Sequence, residues 1–140
     1  MKNKQYPLNN VPQFNNLKDM VIYCADTYKD ATAFQFEKDN ETIKISFKEF
    51  LDDINGLGTA LHNLGLHNMK IALIGENSYN WILSYFAIIN GGNIIVPLEP
   101  EMMEKDITTI LVDTEISYVI FSAKYTDKVQ KIQESLQFRN

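Results

Sequence analysis

The sequence predicts an α/β fold, Rossmann-like and mainly parallel in three layers, preceded by a β-hairpin. Three apolar runs carry that expectation: Lys70–Ile74, Ile94–Pro97 and Tyr118–Ser122. Uninterrupted apolar strands of this kind suit a sheet covered on both faces, and parallel strands need helical crossovers between them. The runs are spaced to allow this. From Lys70 onward the order reads strand, helix, strand, helix, strand, helix, which is the pattern of a parallel α/β unit with right-handed crossovers.

The first crossover is the most informative stretch. Gly75–Ser78 breaks the first run with a glycine and small polar groups, and Gly91-Gly92-Asn93 breaks the chain again before the second. Between them, Tyr79–Asn90 is long enough for about three helical turns. Only Asn80, Ser84 and Asn90 are clearly polar in it, and Asn80 and Ser84 are one turn apart, so the polar stripe is narrow. A helix apolar nearly all round must be buried on nearly all sides. Its own sheet covers one face, and a second body must cover the other.

Residues 1–15 are polar, with Pro7 and Pro12, and are expected to form an irregular arm; residues 16–140 form the domain. Leu17, Met20, Val21, Cys24 and Tyr28 follow one helical face, with Asn15 or Asn16 as cap. Ala33–Glu37 and Thr42–Ser46 read as two strands around a Lys38–Glu41 turn. Ser46 and Glu49 form a capping box. It opens a helix whose face is Phe47, Phe50, Leu51, Ile54, Leu57, Leu61 and Leu64, stopped by Gly65. Met103, Ile107, Ile110 and Leu111 mark a further amphipathic helix. Val129, Ile132 and Leu136 mark a last one, running to or near Arg139-Asn140 with Asp127 at its positive end.

Composition narrows the function. With 140 residues, 45% of them apolar and 22% charged, the chain is long enough for one domain with a real core. A net charge of −5 without a basic block argues against nucleic acid as a partner. The single cysteine, Cys24, excludes an intrachain disulfide framework and suits the cytoplasm. No transmembrane segment is expected, because the longest apolar stretch, Trp81–Ile89, is far shorter than the ~20 residues a spanning helix needs. The start lacks the apolar core of a signal peptide.

Candidate chemistry is sparse. Glu76, Asn77 and Ser78 sit at the carboxyl end of a parallel strand, where open α/β sheets bind ligands. They are candidates for the wall of a substrate pocket. The simpler reading of the same turn is a helix start capped by Asn77 or Ser78. Neither a dinucleotide nor a P-loop glycine pattern is present, and Ser78 lacks the glycines of a nucleophile elbow. His62 and His67 are five apart with no acidic or cysteine partner at ligand spacing, so they read as surface histidines near a helix end. Glu99, Glu101, Glu104 and Asp106 crowd a helix start, where carboxylates are favourable without a metal. No catalytic, cofactor-binding or metal-ligating residue emerges from the residues alone.

An ordered set of short matches adds a family. Ile45–Phe50 (ISFKEF), residues 70–98 with Gly-Glu-Asn-Ser, Trp81, Ala87, the glycine pair and Val-Pro-Leu, and Asp30–Ala33 before the hairpin resemble, in order and spacing, adenylate-forming (AMP-binding) enzymes. The likeness covers about residues 20–135 and is strongest to long-chain fatty-acid CoA ligases. Met103, Asp106 and Ile107 depart from the usual Pro, Glu and Leu after the Val-Pro-Leu segment.

The resemblance implies the N-terminal portion of an acyl-CoA synthetase, a ligase that activates a carboxylate, most naturally a fatty acid, to an acyl-adenylate and transfers it to CoA. ATP, Mg²⁺ and CoA are implied for the parent enzyme. The family's phosphate loop, its adenine and ribose motifs and its catalytic lysine have no counterpart in these residues, so the chain alone is expected to be inactive. Its implied partner is the remainder of the ligase, and a homo-oligomer through Tyr79–Asn90 is expected if that helix is left bare. In the family fold, helices lie between two stacked sheets, which would account for an all-apolar helix. The competing reading is a non-catalytic Rossmann-like binding or assembly module.

Overall fold

The computed structural model describes residues 12–137; most of the expected N-terminal arm and the chain end at Arg139-Asn140 lie outside them. Residues 12–16 are irregular and lead into α1 (Leu17–Tyr28). Asn16 caps this helix, its Oδ1 accepting from the Asp19 amide at 2.8 Å. The buried side chains are Val21 and Ala25. Leu17 and Tyr28, expected on the same face, are 42% and 50% exposed, because they lie at the two ends of the helix while its middle packs on the next one.

β1 (Thr32–Lys38) and β2 (Glu41–Ser46) pair antiparallel as a separate two-stranded sheet. Asp39 and Asn40 both have positive φ, 53° and 64°, the two-residue turn whose twist matches the strands it joins. Phe34, Phe36, Ile43 and Ile45 form the half-buried face. α2 (Phe47–Asn63) follows at once, with the Ser46–Glu49 capping box formed in both directions. At its end Gly65 takes φ +80°, and the Gly65 and Leu66 amides reach back to the His62 and Leu61 carbonyls, a Schellman stop. Leu64, expected on the buried face, is the capping residue and is 74% exposed, because the chain has left the helix axis there.

The main sheet has three parallel strands. β3 (Lys70–Ile74) lies in the middle, between β4 (Ile94–Leu98) and β5 (Tyr118–Phe121). Ile71 is in register with Ile95 on one side and Tyr118 on the other. The crossovers are α3 (Tyr79–Asn90) and α4 (Glu104–Asp113), and α5 (Thr126–Gln137) closes the described chain. Strand side chains alternate between the faces. Ala72, Ile74 and Leu98 pack with Ile107 and Leu111 of α4 and Ile132 of α5. Ile71 packs with Ala87 and Ile88 of α3 and Leu61 of α2. Met103, expected to open the apolar face of α4, precedes it and is 61% exposed; its neighbour Met102 packs on the core instead. Lys128 of α5 donates to the carbonyls of Pro100 and Met102 and ties down the β4–α4 loop.

α3 is covered on two faces, and only Asn80 is exposed along it. One face meets the sheet. The other, formed by Tyr79, Ile82, Leu83 and Phe86, meets Val21 of α1, Phe50 and Ile54 of α2 and Phe34 of the hairpin. The second cover is therefore two helices and a hairpin of this same chain rather than a stacked sheet.

Asn93, buried after α3, holds the entry to β3. Its Oδ1 accepts from the Met69 amide and its Nδ2 donates to the Leu66 carbonyl, both at 3.0 Å. Asn93→Ala leaves both backbone groups without a partner in a buried corner and should cost about 1–3 kcal/mol. In urea unfolding the midpoint should fall with an unchanged slope.

Candidate functional site

Three parallel strands present their carboxyl ends to one edge of the sheet, and a cleft of about 320 Å³ opens there between the ends of β3 and β5 and the first turns of α3. Gly75 and Glu76 follow β3, Ser122 and Ala123 follow β5, and Asn80, Trp81 and Ser84 come from α3. Parallel neighbours end side by side, so the Ser122 amide, bonded to the Ile74 carbonyl at 2.9 Å, sets the Ser122 side chain beside Glu76. The Ser122 hydroxyl donates to Glu76 Oε1 at 3.0 Å, while Oε2 is shielded from solvent without a hydrogen-bond partner.

The three residues marked by the sequence separate here. Glu76 lines the cleft, Asn77 lines a second groove of about 540 Å³ with Phe36, Ile43 and Tyr79, and Ser78 borders both. Ser78 also serves as the α3 cap: its Oγ accepts from the Trp81 amide at 3.1 Å. The cleft draws on Trp81 as well, and on Asn80, Ser84 and Ser122, which were not marked from the sequence. The i, i+4 polar pair on an otherwise apolar helix was the available signal for Asn80 and Ser84. Ser122 is reached only through the strand pairing.

The electrostatics favour an ionised carboxylate. Its own backbone amide and then the Ser122 hydroxyl hold the Glu76 carboxyl below 4.5, with a smaller contribution from Lys124; desolvation opposes them. At neutral pH the cleft thus presents an anion, three serine hydroxyls and an indole wall. Gly75 lets the indole lie close: a Cβ there would lie 3.1 Å from Trp81 Cδ1, so the ring would have to give by a few tenths of an ångström. In the neighbouring groove, burial first and the bond to Asp53 Oδ2 second push the Tyr79 phenol far above 10, so it donates at every physiological pH. His62 and His67 are both exposed, 5.6 Å apart between ring centroids, and among the described residues no three His, Cys, Asp or Glu gather as metal ligands.

Two outcomes test this geometry. Trp81 is the only tryptophan in the chain, so Gly75→Ala, whose Cβ would press on the indole, should shift the emission maximum while far-ultraviolet circular dichroism stays unchanged. For Glu76, a folded pKa below the unfolded value means stability that is present above 4.5 and is lost as pH falls through the folded value. Ser122→Ala should move the Glu76 titration, followed by carboxyl NMR, upward towards 4.5 and shift the onset of acid destabilisation to higher pH.

The comparisons with known proteins agree with this architecture. The crotonobetaine/carnitine–CoA ligase of Salmonella paratyphi A is 26% identical over 121 residues, which cover 85% of this chain and 23% of the ligase. A protein of Rhodopseudomonas palustris CGA009 assigned as a long-chain-fatty-acid CoA ligase superposes with a TM-score of 0.75 at 24% identity, over 85% of this chain and 30% of that one. The anthranilate CoA ligase AuaEII, in complex with anthranoyl-AMP, superposes with a TM-score of 0.76 at 22% identity, over 89% and 23%. These structural likenesses show the fold, that of the N-terminal domain of adenylate-forming acyl-CoA ligases. The chain spans about a quarter of the length of the curated relatives it matches. The AMP-binding enzyme model matches residues 23–140, most of the sequence, and by that match the chain belongs to the AMP-binding enzyme family.

Proposed function

We propose that this chain is the N-terminal portion of an ATP-dependent acyl-CoA ligase that converts a fatty acid to an acyl-adenylate and then to a CoA thioester. The observation that carries the reading is the family match over residues 23–140. The fatty-acid substrate rests on the sequence resemblance and on the description of the R. palustris protein; the carnitine and anthranilate ligases matched by the same residues act on other carboxylates.

ATP, Mg²⁺ and CoA belong to the parent enzyme in this reading. The cleft does not suit nucleotide phosphates, because an ionised Glu76 at its wall repels them and no described group of three or more side chains offers Mg²⁺ a site. Glu76 and Ser78 at the cleft, with Asn77 at the neighbouring groove, act as walls that the remainder of the ligase completes. That remainder is the partner, and the half-buried strip Trp81, Tyr85 and Ile89 on α3 is a narrow surface for it or for a second copy. No described helix is long and apolar enough to cross a membrane, and a cytoplasmic location fits the substrate chemistry.

The test is fatty-acid-dependent ATP–pyrophosphate exchange, run on the 140-residue chain and on the product of the reading frame continued past Asn140. The longer product should exchange and the chain should match a no-protein blank. Exchange by the chain alone, tracking it through purification, would mean that the catalytic groups lie within these residues. Exchange with short or aromatic carboxylates but not fatty acids would move the substrate class. A frame with no Gly-rich, Lys-bearing loop downstream would favour the non-catalytic module.

A further inference from the structure

We propose that the turn Tyr28–Ala31 is a strained clasp, through which α1 opens away from α2 and α3 as a unit while the rest of the domain stays folded.

The clasp is the point where two helix ends meet. The Ala31 amide donates to the Tyr28 carbonyl at 2.8 Å, which closes a four-residue turn with Lys29 at its second position. Lys29 has φ 44° and ψ −109°. That is close to the first central position of a type II′ turn, about +60° and −120°, where glycine is the usual residue. It lies outside the small left-handed region, with ψ of about +30° to +60°, that other residues visit. A lysine in this conformation is strained.

Such strain persists only where neighbouring contacts hold it. Here the contacts are the first amides of α2. A helix start leaves four N–H groups without intrahelical partners. In α2 the Ser46 and Glu49 amides are met by the capping box, at 2.8 and 3.2 Å. The other two go to the clasp: Phe47 donates to the Ala31 carbonyl and Lys48 to the Lys29 carbonyl, both at 3.1 Å. β1 begins at Thr32, β2 ends at Ser46 and these two residues pair, so the hairpin returns the chain to the end of α1 as α2 begins. The conformation of Lys29 is thus held from outside, by the amide of Lys48.

Little else holds α1. Val21 and Ala25 are its buried side chains, and Val21 packs with Phe50 and Ile54. The Tyr28 and Phe47 rings meet at 5.0 Å, with Tyr28 half-exposed. Among the described residues, the helix and its cap make no other hydrogen bond to another element and no ion pair. By contrast α3 has Ala87 and Ile88 fully buried against the sheet and its other face packed on α2. Opening the clasp costs α1 these few contacts and relaxes Lys29. It orphans no amide in the interior, since Lys48 is exposed and Phe47 only half-buried, so water takes over as acceptor. Elements with few buried contacts open below the free energy of global unfolding.

Amide hydrogen exchange by NMR on the 140-residue chain tests this, with Lys29→Gly and Lys29→Ala beside the native sequence. In the native sequence the Val21, Ala25 and Lys48 amides should exchange through a common opening at least about tenfold more populated than the one that frees Ala87 and Ile88. Glycine removes the strain and keeps every hydrogen bond. Net of the freedom it adds to the open state, Lys29→Gly should slow the Val21, Ala25 and Lys48 amides by about fivefold or more. Lys29→Ala keeps a Cβ and should leave them within about twofold of their native rates. A single opening shared by α1 and α3 in the native sequence overturns the proposal, because α1 then opens only with the whole fold. Unchanged or faster exchange at Val21 and Ala25 in Lys29→Gly, or failure of that variant to fold, overturns the strain. So does an alanine variant that slows these amides as much as glycine does.

Discussion

Burial of α3 from two sides is the constraint on which the rest of this structure depends. Ala87 and Ile88 are fully buried against Ile71 of the sheet. One turn around the helix, Ile82, Leu83 and Phe86 need a second apolar surface, and α1, α2 and the hairpin exist largely to provide it. Phe50 is the hinge of that second layer. Its ring meets Phe34 edge-on at 4.8 Å and Phe86 at 5.5 Å, so hairpin, α2 and α3 share one aromatic contact set. Without these the sheet would carry a bare apolar helix on one face, and large exposed patches of that kind drive association.

The same packing creates the cleft. At the start of α3 the absence of a side chain on Gly75 leaves room for Trp81, and Ser78 caps the helix. The capping role and the pocket role thus fall on one residue. Glu76 is left at the carboxyl edge, held ionised by its own amide and the hydroxyl of Ser122. An anion fixed in this way can attract a donor or a cation and repels a phosphate.

Family membership and substrate are separate conclusions. The match over residues 23–140 and the fold shared with acyl-CoA ligases concern the scaffold. The acyl group is chosen by a completed pocket, and the proteins matched here handle carnitine, aromatic and fatty carboxylates on one scaffold. Fold alone does not settle such a choice.

Much of the architecture was legible in the residues. Ser46 and Glu49 announced α2, Gly65 ended it, and the span Tyr79–Asn90 was read to the residue, because caps, glycines and apolar periodicity are local signals. The two-sided burial of α3 was legible as well, since a stripe of two polar residues leaves no face for water. The identity of its second cover was not. Whether Phe34, Phe50 and Val21 or a stacked sheet lies against Ile82 depends on contacts between segments dozens of residues apart, which no local pattern encodes. The same holds for Ser122 beside Glu76 and for the parting of Asn77 from Glu76. Strand order β4-β3-β5 brought the first pair together, and Asn77 lines the groove beside the hairpin. Periodicity says which side of an element is apolar; only packing says what that side meets.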